Sequence, residues 1–372
     1  MRVMVLGGAG DMGSRAVEDL AQAQGIEQVT IGDKNLNSAQ ELAEKLKGKP
    51  AEVDAKYIDA FDHSSLVNAI KGYDLVASTL GPFYVFEARL VKACIEAGVN
   101  YASICDDWLA AEQVLEQFSQ PAREKGVIIV TGLGTSPGIS NVGVKFQAEQ
   151  MDEVERAEVY VYMPLNAGGG PAVIEHTLFI MSGEVPSWRK GKWVKIKACA
   201  ESKEVDFPRF GRKKVWNMGH SEPVTIPRFI AGIKEVNFFM GFGKGSSLLV
   251  IPSKLGMFNS DAGKRFFSRL LQRLEKLGPE QEPEWGAVRI DVWGKKEGKE
   301  VHQLGCGIGQ MREATGLSLA VGAWMLAKGE ITVEQGGVYA PEACYPPEKF
   351  LRYMKERGIT AYFDLEMTQP VV

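Results

Sequence analysis

Three glycines and one aspartate carry the first chemical signal in this chain. Gly8-x-Gly10-x-x-Gly13 directly follows the apolar run Val3-Met4-Val5-Leu6. That is the order of strand, tight turn and helix that a dinucleotide diphosphate requires. Gly8 permits the turn, Gly10 lets the backbone approach the diphosphate, and Gly13 lets the new helix pack on the strand. The N–H groups of the first turn, Asp11 and Met12 included, and the positive end of the helix dipole would hold the phosphates. Asp33 lies about 20 residues further on, where the fingerprint places an acid for the adenosine ribose. A carboxylate there repels a 2′-phosphate and favours NAD; Lys34 beside it softens the preference and leaves NADP open. The alternative reading of Asp33 is a cap on the next helix.

Further candidates stand at the ends of later apolar runs. Asp59 and Ala60 follow Lys56-Tyr57-Ile58, and Thr79 and Gly81 follow Leu75-Val76-Ala77-Ser78. Asp59 either flanks the adenine ring or caps the helix that follows. The small residues around Thr79 and Gly81 let the backbone approach the nicotinamide half of a cofactor. Cys105-Asp106-Asp107 ends the next run. Two adjacent carboxylates can push one pKa upward by like-charge repulsion, which suits proton transfer. Equally, Asp107 can cap the helix it precedes. Cys105 is either a cofactor contact or a buried small hydrophobe, and Tyr84 either donates to a ligand or packs.

The elements that must position these groups are legible as alternation. Six short β-rich runs alternate with helical segments up to about residue 150, which predicts βαβ units and a parallel sheet. Their continuous Val/Ile/Leu character predicts burial on both faces. From residue 158 the period changes to two, in Glu158-Val159-Tyr160-Val161-Tyr162 and Trp193-Val194-Lys195-Ile196-Lys197. Together with runs at 236–242, 288–293 and 301–304, this predicts an antiparallel or mixed sheet covered on one face by helices at 173–181 and 264–277. Residues 315–326 and 347–357 read as helices of a tail packing back on the first domain. The expected architecture is α/β: a doubly wound Rossmann domain over 1–140, an inserted α+β substrate and dimerisation domain over 141–312, and a C-terminal return over 313–372.

Composition narrows the class. The chain has 372 residues, 45% of them hydrophobic, and a net charge of −4 from 43 basic and 47 acidic side chains. That balance argues against bulk nucleic-acid affinity. No apolar run is long enough to span a membrane, and the opening strand leaves no room for a signal peptide. The five cysteines are scattered, without CxxC or zinc spacing. Reduced thiols and a cytoplasmic location are the expectation, with no metal site. The apolar, glycine-rich stretch 238–258, carrying Lys244 and Lys254, is the predicted interface of a homodimer.

Several stretches taken together resemble the saccharopine dehydrogenase family, including its lysine dehydrogenase branch. They are Val5-Leu6-Gly7-Gly8-Ala9-Gly10 with Gly13, Tyr57-Ile58-Asp59-Ala60, Gly81-Pro82-Phe83-Tyr84, Ala93-Cys94-Ile95-Glu96-Ala97-Gly98-Val99-Asn100-Tyr101, Cys105-Asp106-Asp107 and Ser136-Pro137-Gly138-Ile139-Ser140-Asn141. The tail from Arg312-Glu313-Ala314-Thr315-Gly316 through Gly358-Ile359 is similar too, whereas roughly 160–300 matches in layout alone. The resemblance implies hydride transfer between NAD(P) and an amine-bearing carbon of an amino acid, lysine-like or saccharopine-like. Such a reaction needs a base for the N–H proton and a clamp for the carboxylate. Asp106, Asp107 and Tyr84 are the candidates near the ring. His176, behind the triple glycine Gly168-Gly169-Gly170, is a candidate substrate contact or an ordinary satisfied histidine. Arg228 and Arg312 are candidate carboxylate clamps, or ion pairs that hold the structure. Two other classes stay open: a cofactor-retaining transferase or synthase with no net redox change, and a non-catalytic NAD(P)-binding protein.

Overall fold

The structure is a computed structural model that describes residues 1–164, 170–243, 247–277 and 285–372. Gly168, Gly169 and Lys244 lie outside the described residues. The chain divides into two compact units. One comprises Met1–Ile139 and Arg312–Arg357, the other Ser140–Met311 and Gly358–Val372.

The first unit is built on β1 (Arg2–Leu6), β2 (Gln28–Asp33), β3 (Glu52–Tyr57), β4 (Leu75–Ser78), β5 (Asn100–Ser103) and β6 (Ile128–Thr131). All pair in parallel, in the order β3-β2-β1-β4-β5-β6, and a late strand, Gly337–Tyr339, adds to β6. Val3, Met4 and Val5 are fully buried, each contributing about 1.5–3 kcal/mol of transfer free energy. Burial on both faces is why these runs are uniformly apolar rather than alternating. Strand β1 pairs with β2 on one side and β4 on the other. The crossovers therefore leave in opposite directions at its carboxyl end, the switch point where such sheets bind ligands.

The helix Met311–Ala327 is buried all round from Ala314 to Leu326, so its sequence shows no amphipathic stripe. Gly316 permits its close approach to the first helix: a Cβ there would sit 2.7 Å from that of Arg15. Trp324 donates through Nε1 to the Gln24 carbonyl at 2.9 Å, and Arg357 pairs with Asp19 at 2.8 Å. The expected return over 313–372 divides in two. Residues 312–357 belong to the first unit, but 358–372 belong to the second. There Tyr362 exchanges backbone hydrogen bonds with Cys306, so the final segment satisfies a sheet edge instead of following the helices.

The second unit carries β7 (Glu153–Tyr162), β8 (Glu184–Arg189), β9 (Lys192–Lys197), β10 (Ser202–Phe207), β11 (Gly211–Asn217), β12 (Glu235–Gly241), β13 (Gly286–Lys296) and β14 (Lys299–Gly309). The main order is β10-β11-β12-β7-β13-β14, with β8 on β12 and β9 on β8. It is mixed: β7 and β12 run parallel and their neighbours antiparallel. Strand β12 is interior, between β11 and β7. Phe238, Phe239, Met240 and Phe242 are accordingly core residues. The aromatic strand of the expected interface over 238–258 therefore packs in the unit's own core, whereas Ile251, Leu255 and Met257 of the same stretch are exposed.

Candidate functional site

The first unit gathers the cofactor candidates around the carboxyl end of β1. Gly7 turns with φ +73°, its N–H donating to the Gly32 carbonyl at 2.8 Å. Gly10 begins the helix Asp11–Leu20 in an extended conformation and no side chain caps that end. The first N–H groups of a helix have no intrahelical acceptor, so those of Asp11, Met12 and Gly13 are suited to phosphate oxygens. The glycines divide the work. A Cβ at Gly13 would lie 2.7 Å from Thr79 Oγ1 and 2.9 Å from Gly8 Cα. A Cβ at Gly8 would lie 2.9 Å from the Val5 carbonyl oxygen. A Cβ at Gly10 would meet the Gly7 carbonyl oxygen alone, at 3.2 Å, so its outer side is the open one. These residues fit a dinucleotide diphosphate.

Asp33 ends β2 and joins it to this turn. Its Oδ2 accepts from the Ala9 N–H at 3.2 Å and its Oδ1 from the Asn35 N–H at 2.9 Å. The cap on the next helix is Asn35, which accepts from Ser38 N–H at 3.2 Å. Asp59 likewise is no cap: Asp62 accepts from Ser65 N–H at 3.0 Å. Lys34 Nζ lies 3.5 Å from Asp59 Oδ2, so Asp33, Lys34 and Asp59 form one group beside the turn, with Ala60 buried next to them. Thr79 is also drawn in. Its hydroxyl donates to the Gly7 carbonyl at 3.0 Å, which assigns it to shaping the turn. Gly81 has no atom within 4 Å of where a Cβ would stand, and Tyr84, in the first turn of the helix Phe83–Ala97, is half exposed.

Beyond β5 the three candidates separate. Cys105 is fully buried. Burial first, then repulsion from Glu87, Asp107 and Asp106, pushes its thiol well above the ordinary range. It is a protonated core group, so the expected cofactor contact by its side chain is corrected. Asp107 is also fully buried, and its Oδ1 accepts from the N–H groups of Leu109 at 2.9 Å and Ala110 at 3.0 Å. The structure gives this carboxylate to the cap of the helix Trp108–Lys125. Asp106 is the partly exposed acid of the pair.

A group the motif reading missed lies behind them. Glu87 is fully buried and accepts from Ser103 Oγ at 2.6 Å, Tyr101 OH at 2.9 Å and Thr131 Oγ1 at 2.9 Å. These hydroxyls come from β5 and β6, so one carboxyl ties the helix to both strands. Desolvation raises its pKa above the ordinary 4.5, outweighing the three hydroxyl donors that favour the ionised form, and Asp107 adds repulsion. The signal was present in the sequence: Leu90, Val91 and Cys94 follow Glu87 by three, four and seven residues, which places it on the buried helix face. The folded state holds the Glu87 proton more tightly than the unfolded chain. Its contribution is therefore full below about pH 4.5 and is lost as pH rises towards the raised native value, with a limiting slope of about 1.4 kcal/mol per pH unit. Glu87→Gln is expected to remove that slope. Urea midpoints from pH 5 upward should fall more steeply for the parent than for the variant; parallel curves would refute the assignment.

Arg312 is in the first unit and is occupied there. It pairs with Glu18 at 2.9 Å, Glu313 at 2.7 Å and Asp11 at 3.4 Å, and donates to Ser14 Oγ at 3.2 Å. The expected substrate clamp is a tie between the returning helix and the first helix, because three carboxylates surround the guanidinium. In the second unit, His176 sits on the helix Gly170–Ile180, its ring 6.2 Å from that of Phe179. Arg228 ends the helix Glu222–Phe229, its guanidinium 4.7 Å over the Trp193 ring. His220, unremarkable in the sequence, is buried and stacked on Phe238 at 4.0 Å. Its Nδ1 meets the fully buried Glu222 at 2.5 Å, and Ser140 Oγ donates to the same carboxylate at 3.1 Å. Among the described residues no His, Cys, Asp and Glu cluster could hold a metal ion, and no helix is long and apolar enough to cross a membrane.

Comparison with known proteins agrees with this geometry. Residues 3–130 match the saccharopine dehydrogenase NADP-binding domain. Carboxynorspermidine synthase of Vibrio cholerae is 27% identical over 261 residues, covering 63% of this chain and 62% of the relative, so the chain spans about three fifths of that protein's length. Carboxyaminopropylagmatine dehydrogenase of Synechocystis is 23% identical over 96% of both chains. Apo saccharopine dehydrogenase (L-Glu forming) of Saccharomyces cerevisiae superposes with a TM-score of 0.71 over 96% of this chain and 98% of its own. At 15% identity that likeness concerns the fold.

Proposed function

We infer, from a chain whose residues 3–130 match the saccharopine dehydrogenase NADP-binding domain, an NAD(P)-dependent oxidoreductase. It transfers hydride between the nicotinamide and the CH–NH or CH–NH2 carbon of an amino-acid-like substrate. The observation that carries the reading is the uncapped helix start behind Gly10, with Asp33 fixed beside it. The two relatives are named for carboxylated polyamines. Their names support a substrate that joins an amino-acid carboxylate to a further amine through a secondary nitrogen, as a saccharopine-like compound also does.

A bound nicotinamide dinucleotide supplies the two-electron acceptor or donor. The chain's own residues do the rest. In the oxidative direction the substrate's C–H leaves as hydride, its N–H proton goes to a base, and the imine remains. Asp106 is the proposed base, since Asp107 is committed to its cap and Cys105 is buried and protonated. Tyr84 is a proposed donor to the substrate or carboxamide. His176 and Arg228 are proposed contacts to the substrate's polar ends.

Incubation with NAD or NADP and carboxylated secondary amines, followed at the absorbance of the reduced nicotinamide, tests the reading. Tightly retained cofactor without accumulated reduced product would favour a transferase or synthase instead. Asp33 is expected to set the cofactor preference. Asp33→Asn removes the charge facing the ribose, and hydrogen bonds to charged groups contribute about 1.5–3 kcal/mol. NAD affinity should fall by about tenfold or more while NADP affinity rises. Unchanged affinities for both, read by calorimetry, would remove Asp33 from the site.

A further inference from the structure

The second unit carries one surface that neither its core nor the proposed reaction uses. The helix Ser247–Lys254 and the helix Asp261–Leu277 follow each other, joined by 255–260. Their inner sides are anchored. Ser253 Oγ donates to the Met181 carbonyl at 2.6 Å, and Phe258, fully buried, meets Phe267 at 5.0 Å. Leu271 packs against the same core.

The outer sides are apolar and basic together. Phe266, Arg269, Leu270 and Arg273 recur at the spacing of one helix face, and all four are exposed. Phe266 is 62% exposed and Leu255 72% exposed, with Ile251 and Met257 also exposed beside Leu255. Arg265 and Lys254 add positive charge to the same stretch of chain. No described carboxylate pairs with Arg265, Arg269 or Arg273. In a chain of net charge −4, this is a local reversal of sign.

Large exposed apolar residues rimmed by arginines that no described carboxylate neutralises match an interface between hydrocarbon and anionic headgroups. We propose that the outer face of the helix Asp261–Leu277, together with the exposed residues of 251–257 before it, docks on the surface of an anionic phospholipid bilayer. The apolar side chains enter the acyl boundary, and the arginines meet the headgroup phosphates. A second copy of the chain is the poorer occupant. A two-fold contact through this face would set the cluster of Arg265, Arg269 and Arg273 against the same cluster of the copy. The proposal is independent of the redox reading, since none of these residues belongs to the cofactor or substrate site.

Flotation with phosphatidylcholine vesicles, with or without one third phosphatidylserine, tests it on the full chain. Binding to the anionic vesicles should exceed binding to the neutral ones by about tenfold or more and should weaken with salt. R265Q/R269Q/R273Q should lose about a hundredfold in vesicle affinity, and F266S/L270S should also lose binding. Both variants should keep the parent's thermal midpoint and cofactor affinity, because the replaced side chains are exposed. Absence of binding to anionic vesicles overturns the proposal. So does vesicle binding that both variants retain, or self-association that they abolish.

Discussion

Asp106→Asn is expected to lower turnover by about a hundredfold to ten-thousandfold, the range spanned by a positioned general base. Cofactor affinity should stay close to the parent's. The argument rests on how differently two neighbouring carboxylates are used. Asp107 is fully buried and caps a helix through two backbone N–H groups, so its charge is committed to structure. Asp106 follows the buried Cys105 in the loop after β5 and keeps partial exposure. That loop lies at the carboxyl end of the parallel sheet, where ligands collect. Asp107→Asn provides the contrast. It weakens a cap worth about 1 kcal/mol, and the effect should appear in the thermal midpoint. If Asp107→Asn abolished turnover while Asp106→Asn did not, the assignment of base and cap would be reversed.

Gly13→Ala is expected to destabilise the first unit by about 1–3 kcal/mol, the cost of overpacking a tight contact, and to weaken NAD(P) binding by more than tenfold. The added Cβ would stand 2.7 Å from Thr79 Oγ1 and 2.9 Å from Gly8 Cα. One of the two is backbone, so the helix must move away from β1. Moving it displaces the N–H groups of its first turn from the position a diphosphate needs. The Thr79 hydroxyl bond to the Gly7 carbonyl is strained by the same shift. Thr79→Val serves as the milder companion: it removes that bond, worth about 1 kcal/mol, without crowding the helix. Gly81→Ala, with open space where its Cβ would go, should leave the thermal midpoint unchanged, which separates the crowded glycine from the tolerant one.

The Rossmann domain was legible because burial on both faces makes every strand a short apolar run, and each run ends in a turn residue. The glycine turn was legible because its conformation depends on backbone geometry that few residue types allow. Caps were harder. Asp33 and Asp59 stand before helices, yet Asn35 and Asp62 do the capping, since a shift of two or three residues decides which side chain reaches the N–H groups. The spacing around Glu87 marks its helix face as buried but does not show that Tyr101, Ser103 and Thr131 close around it. Those partners are distant in sequence and arrive only with the sheet. His220 and Glu222 hid for the same reason, as did the ties of Arg312 to the first helix. In the second unit, β12 is so apolar because it is interior, which the sequence pattern shares with an interface strand. The split of the tail at residue 358 has no compositional mark either, because the edge it satisfies belongs to β14.

The central claim is that the turn from Gly8 to Gly13 holds a nicotinamide dinucleotide. Calorimetric titration of the full chain with NAD and with NADP measures it directly. Saturable binding of one cofactor per chain, lost in Gly13→Ala and redistributed between NAD and NADP in Asp33→Asn, is the predicted result. Absence of binding heat with both cofactors, from protein whose thermal unfolding is cooperative, would contradict it.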